Sequence, residues 1–173
     1  MMGTLQSSLS QKQQYWNELT DLKVDAAYIR LYRDSFGRWV TALGTLKAVA
    51  SSAGIAAWVI WREFAFVWAT IIAASQLADA LKEVFPFAKK HKSACEYAMK
   101  LENLFIDVQF EWENIDSGRF SPTEVGRRLH QLRKMLKEAE QRYFPDGLAT
   151  REEFLLQARQ EAEEYFKSTY GVK

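Results

Sequence analysis

Residues 39–84 read WVTALGTLKAVASSAGIAAWVIWREFAFVWATIIAASQLADALKEV, and the placement of charge in this stretch decides how the chain is built. From Trp39 to Trp61 the only ionisable residue is Lys47, and from Phe64 to Ala78 there is none. Asp79, Lys82 and Glu83 close the second segment. Each segment is about 20–23 residues long, the length at which a helix crosses a hydrocarbon core of about 30 Å. Only Arg62 and Glu63 separate them, so the two helices must run antiparallel. Their hydropathy is high for a soluble helix and modest for a membrane span. The aromatic residues add an independent signal. Trp58, Trp61, Phe64, Phe66 and Trp68 cluster at the turn, Tyr32, Phe36, Trp39, Phe85 and Phe87 at the opposite end, and no aromatic lies between. Aromatic rims around an aliphatic slab are the expected interfacial belts of a membrane hairpin, whereas a soluble core more often places such rings in its middle. The stretch 39–87 therefore reads as a transmembrane helical hairpin, with a buried soluble hairpin as the alternative.

Basic residues set the expected orientation. Arg30, Arg33 and Arg38 precede the first segment, and Lys82, Lys89, Lys90 and Lys92 lie at or beyond the end of the second. The positive-inside rule then puts both termini in the cytoplasm. Lys47 and Asp79 are each sixteen positions from Glu63 (63 − 47 and 79 − 63), which places them at one depth in an antiparallel hairpin. An isolated charge at the centre of a span costs about 2–3 kcal/mol or more, and pairing or snorkelling lowers that cost. A structural ion pair, or a Lys47 that snorkels to the inner rim, is the plain reading. A polar path is the sharper one. Gly44, Lys47, Ser51 and Gly54 follow helical spacing on one segment, as do Gln76, Asp79 and Glu83 on the other. A single hairpin encloses no channel, so such stripes line a pore only in an oligomer. Ala50-x-x-x-Gly54 and Ala53-x-x-x-Ala57 permit close helix packing without requiring it.

Outward from the hairpin, both flanks are charged and amphipathic. Residues from about Gln11 to Arg38 form one helix with Leu19, Leu22, Ala26, Ile29 and Phe36 on its apolar side, running on into the first segment with Gly37 as its weak point. After Pro86, a helix from about Lys92 to Ile115 carries Ala94, Ala98, Leu101, Phe105, Val108, Trp112 and Ile115 at alternating spacings of four and three. Asp116-Ser117-Gly118 breaks it. Ser121-Pro122-Thr123-Glu124 then supplies an N-cap, a first-turn proline and the reciprocal glutamate of a capping box. Val125, Leu129, Leu132, Leu136, Ala139 and Tyr143 form the next stripe, ended by Pro145-Asp146-Gly147. Thr150 with Glu153 is the expected cap of a last helix with Phe154, Leu155, Ala158, Ala162 and Tyr165 on its apolar face. The chain is therefore all-α. It divides into an N-terminal amphipathic helix (1–38), the hairpin (39–87) and a cytosolic helical domain (88–173). In that last domain two stripes joined by a short turn make an antiparallel hairpin, closed by the last helix, with the N-terminal helix as a further candidate.

The remaining features exclude more than they assign. A net charge of +1 over 173 residues gives no reason to expect direct binding of nucleic acid. Cys95 is alone, so there is no disulfide framework and no paired-cysteine metal site. The start MMGTLQSSLSQKQQ has no basic region leading into an apolar run and is not a secretory signal, and its Met-Gly follows a second Met, which makes a poor myristoylation signal. His91 and His130 sit in different helices without metal-ligand spacing. His91 lies one turn before Cys95, but a small residue at a helix interface is the reading preferred over an activated thiolate. No phosphate-cradling glycine motif occurs. No metal, cofactor or catalytic residue is expected. One basic cluster remains, Arg127, Arg128, Arg133, Lys134 and Lys137, with Glu138 and Glu140 mixed among them. It suits a solvated helix face, a surface for anionic lipid headgroups, or a site for a phosphate-bearing signal molecule.

The run Tyr28-Ile-Arg-Leu-Tyr-Arg-Asp-Ser-Phe-Gly-Arg38, leading straight into a tight two-span hairpin and then a helical tail, resembles the SLATT-type two-transmembrane effectors of bacterial antiviral systems. The resemblance covers nearly the whole chain and rests on layout. It implies a pore-forming or membrane-perturbing protein of abortive infection, held inactive until a sensor protein or nucleotide signal of the same system releases or oligomerises it. It supplies no catalytic residues. The alternative expectation is a soluble helical-bundle adaptor or regulatory protein that uses the apolar hairpin as its core or as a partner-binding surface.

Overall fold

The computed structural model describes the backbone of residues 2–53, 66–67, 69–70, 72–74, 76–77 and 87–171, and the side chains of 11–48, of the same positions between 66 and 77, and of 88–171. Helix is the only regular structure among the described residues. The long helices are α1 (Met2–Ala53), α2 (Phe87–Asp116), α3 (Pro122–Tyr143) and α4 (Glu152–Tyr170). The chain is all-α. It falls into two compact units, one of Met1–Arg33 with Ser93–Lys173 and one of Asp34–Lys92.

The first unit is a four-helix bundle with a continuous core. Leu19, Leu22, Ala26 and Ile29 of α1 are buried, as are Ala94, Ala98, Leu101, Phe105, Val108, Trp112 and Ile115 of α2. Val125, Leu129, Leu132 and Ala139 do the same for α3, and Ala158, Ala162 and Phe166 for α4. Burying each large apolar side chain contributes about 1.5–3 kcal/mol, so these stripes set the fold. Helix directions follow from the contacts. Tyr15 stacks on Trp112 while Lys23 sits over Phe105, so α1 and α2 are antiparallel. Tyr97 meets Tyr143 and Arg128 meets Glu111, so α2 and α3 are antiparallel as well. Trp16 packs edge-on against Phe166 and Tyr32 against Phe154, which sets α4 antiparallel to α1. This is an up-and-down order; short turns impose it between α2, α3 and α4, whereas residues 34–92 intervene between the α1 and α2 portions of this unit.

Local chemistry explains most helix ends. Gly118, at φ +73°, takes the left-handed conformation that closes α2. At the start of α3, Ser121 Oγ accepts from the Glu124 N–H while the Glu124 carboxylate accepts from the Ser121 N–H, the reciprocal box expected from the sequence. The start of α4 differs from expectation. Arg151, not Thr150, is the N-cap residue, and no side chain caps the helix. Contacts with α1 take over: the Arg151 N–H donates to the Tyr28 hydroxyl at 3.0 Å, and the Arg151 guanidinium lies 5.2 Å from the ring centre of Tyr32 and as far from that of Phe154 in its own helix. Tertiary packing has overridden the local signal.

In the second unit α1 continues without interruption through Gly37. The glycine makes room instead of a break, since a Cβ there would lie 3.2 Å from His91 Nε2. Among the described residues no helix is long and apolar enough to cross a membrane. Of the two expected spans, the described parts are 39–53 and scattered positions from 66 to 77. Fifteen helical residues (39 to 53) rise only about 22 Å, less than the hydrocarbon thickness.

Candidate functional site

In the second unit Phe36 is buried, but from Trp39 onward several described apolar side chains are exposed. Phe66 is 84% exposed and Leu77 61%, and Trp39, Val67 and Ile72 are each about half exposed. Ala69, Thr70, Ala73, Ala74 and Gln76 are exposed as well. On α1 past Trp39, one face is half-buried, made by Val40, Leu43, Leu46 and Lys47, while Thr41, Ala42, Gly44, Thr45 and Ala48 are exposed. The hydroxyls here turn inward on their own helices. Thr45 Oγ1 donates to the Thr41 carbonyl and Thr70 Oγ1 to the Phe66 carbonyl, both at 2.9 Å. Such bonds satisfy a hydroxyl without any outside partner. Of the expected polar stripe, Lys47 lies on the half-buried face, Ser51 is within α1, and Gln76 is helical and exposed. Asp79 and Glu83 lie outside the described residues, and with them the shared depth of Lys47 and Asp79.

The basic cluster on α3 is bound up with carboxylates. Arg128 pairs with Glu111 and stacks 4.0 Å from the centre of the Phe120 ring. Glu111 also accepts from the Tyr15 hydroxyl at 2.7 Å, and burial together with that bond pushes the Tyr15 phenol well above its ordinary range. Arg133 Nε reaches Glu18 at 2.6 Å, Lys137 Nζ reaches Glu140 at 2.8 Å, and Lys134 lies 3.7 Å from Glu138. Arg127 is exposed. Pairing of this kind lowers the positive potential that an anionic headgroup or phosphate would meet. The arrangement is that of a solvated face pinned to its neighbours.

One feature escaped the sequence patterns. A cleft of about 370 Å³ opens between α1, α2 and α3, with Asp25, Tyr28, Tyr97, Arg133, Lys137 and Glu140 among its lining residues. Asp25 stands at its rim. Reduced solvation first, and then the charges of Asp21, Glu140 and Glu18, push its carboxyl up to about 6. Burial and the charges of Asp25 and Glu140 likewise raise the Tyr97 phenol. Glu18, Asp21 and Asp25 follow helical spacing and are visible in the sequence as an acidic edge. Glu140 and Tyr97 arrive from other helices and are not. Among the described residues no cluster of histidine, cysteine or carboxylate side chains is placed to hold a metal ion.

Comparison with protein-family models, with curated proteins and with solved structures found no match to this chain.

Proposed function

We propose that this protein is a non-enzymatic membrane effector, in which residues 39–84 insert as a two-helix hairpin into a bacterial inner membrane with both termini in the cytoplasm. The observation that carries the reading is the display of Trp39, Phe66, Val67, Ile72 and Leu77 to the surroundings. Left in water, each forgoes about half or more of the roughly 1.5–3 kcal/mol that burial of a large apolar side chain contributes. A bilayer recovers that energy. The aromatic rims, the near-absence of charge within the segments and the self-bonded Thr45 and Thr70 hydroxyls all suit hydrocarbon, where every polar group must find its partner internally. The resemblance of the sequence layout to SLATT-type effectors extends the reading to antiviral defence. The four-helix unit receives a partner protein or nucleotide signal, the hairpins assemble as a homo-oligomer, and the membrane is breached so that the infected cell stops growing.

Induced expression with a membrane-potential dye tests this. Depolarisation and growth arrest are expected in the activated state; normal potential and normal growth there sink the proposal. Reversing the charge of Lys47 or of Asp79 alone should alter toxicity if these residues line a pore. If they form only a structural pair, reversing both should restore the parent behaviour.

A second reading takes the same exposed side chains as a surface for a partner protein's helix, making the chain a soluble adaptor. The exposure of Phe66 and Leu77 favours this form of the adaptor over one whose hairpin is its own core. Fractionation without detergent separates the two readings.

A further inference from the structure

Helix α2 carries a second apolar stripe, opposite the one that faces the bundle core. Met99 is 55% exposed, Ile106 63% and Phe110 66%. With Asn103, also exposed, they repeat at spacings of four, three and four, the pattern of a coiled-coil seam. At 100° per residue the stripe is about half a turn away from Leu101, Leu104, Phe105 and Val108, which are buried. Lys100 and Asp107 flank it on one side, Glu102 and Gln109 on the other. Among the described residues, neither Lys100 nor Asp107 has an ion-pair partner within the chain.

We propose that this face pairs with the same face of a second copy, the two α2 helices lying antiparallel about a two-fold axis between Asn103 and Ile106. The register is set by the seam. Met99 then meets Phe110 of the other copy, a favourable sulfur–aromatic contact, and Asn103 meets Ile106. In an antiparallel seam, residues on one flank meet the same flank of the other helix. Lys100 therefore faces Asp107 of the second copy twice over, and Glu102 faces Gln109. A parallel pair is disfavoured, because it brings Asp107 beside Glu102 of the other copy, two like charges. Flanking charges select partner and orientation in this way. The contact is short, about 18 Å of helix from Met99 to Phe110, so two copies free in solution pair weakly. Confinement of both to one bilayer raises their effective concentration, and to that extent the inference rests on the membrane reading above.

The test uses the full chain, co-expressed with two different tags and captured through one of them after gentle solubilisation. The parent should capture itself. Lys100→Asp alone and Asp107→Lys alone should each lower self-capture by about tenfold or more, since each places like charges across the seam. The double variant K100D/D107K should restore it. The two single variants, which repel themselves, should capture each other. No self-capture by the parent overturns the proposal, as do single variants that pair normally or a double variant and a mixed pair that fail to recover. Both positions are on the surface, and recovery in the double variant shows that the fold is intact. Sedimentation of the same cells keeps the two ideas apart. Charge-dependent capture of a protein that stays in the supernatant upholds the pairing and rejects the membrane hairpin. A protein that pellets but ignores these charges does the reverse.

Discussion

The two units of this chain spend similar apolar side chains in opposite ways. In the four-helix unit Leu19, Leu22, Leu101 and Leu132 are almost fully enclosed, and charges hold the outside together. In the unit from Asp34 to Lys92 the described aromatic and aliphatic side chains include Phe66 at 84% exposure and Leu77 at 61%. Periodicity accounts for the contrast. Each bundle helix turns an apolar stripe towards the other three, so one chain encloses its own core. Residues 39–61 and 64–78 carry a single ionisable side chain, Lys47, and among the described ones Phe66, Val67, Ile72 and Leu77 are left exposed.

The difference can be broken most sharply in the core. Leu101→Ala should lower the bundle's unfolding free energy by about 2–5 kcal/mol, the range for a fully enclosed leucine, measured by denaturant titration. Phe66→Ala removes as much apolar surface from the other unit. It should leave bundle unfolding within about 0.5 kcal/mol of the parent, as surface substitutions do, while weakening membrane retention. Equal effects on bundle stability would erase the distinction between the units.

Smaller effects probe how the bundle fastens its charged exterior. Glu111→Gln weakens the link to Arg128 and the bond from Tyr15, and should cost about 1–2 kcal/mol. Ser121→Ala removes the α3 cap and should cost about 1 kcal/mol. Asp25→Asn has a sign that depends on pH. Its carboxyl titrates near 6 in the folded chain and near 4 when unfolded, so the folded state holds its proton more tightly. Stability contributed at this site is therefore highest below about pH 4, declines as pH rises towards 6, and is flat above that. The amide should stabilise the protein above pH 6 by about 1 kcal/mol or less, because Asp25 is open to solvent and screened. The gain should vanish at pH 4, which unfolding curves at the two pH values will register.

The core was legible in the sequence to a degree that the surface was not. The stripes through Leu19, Leu101 and Leu129 are periodic, and the Ser121–Glu124 box is local, so both can be read along the chain. The partners of Arg128 and Arg133 come from α2 and α1, 17 and 115 residues away, and no spacing announces them. This is why the basic cluster on α3 left three readings open in sequence and is tied to carboxylates in the fold. On α4 Phe166 is buried in line with Ala158 and Ala162, and Tyr165 of the expected stripe is half-buried against Phe105 beside it. The outward stripe of Met99, Ile106 and Phe110 was present in the sequence but hidden beside a stronger inward one.

The most direct measurement is sedimentation of the full chain from lysed cells, followed by an alkaline carbonate wash of the pellet. Insertion of residues 39–84 predicts that the protein pellets with the membranes, resists the wash and is released only by detergent. Recovery in the first supernatant, or complete release by carbonate, contradicts the membrane hairpin and leaves the exposed apolar surface to a protein partner.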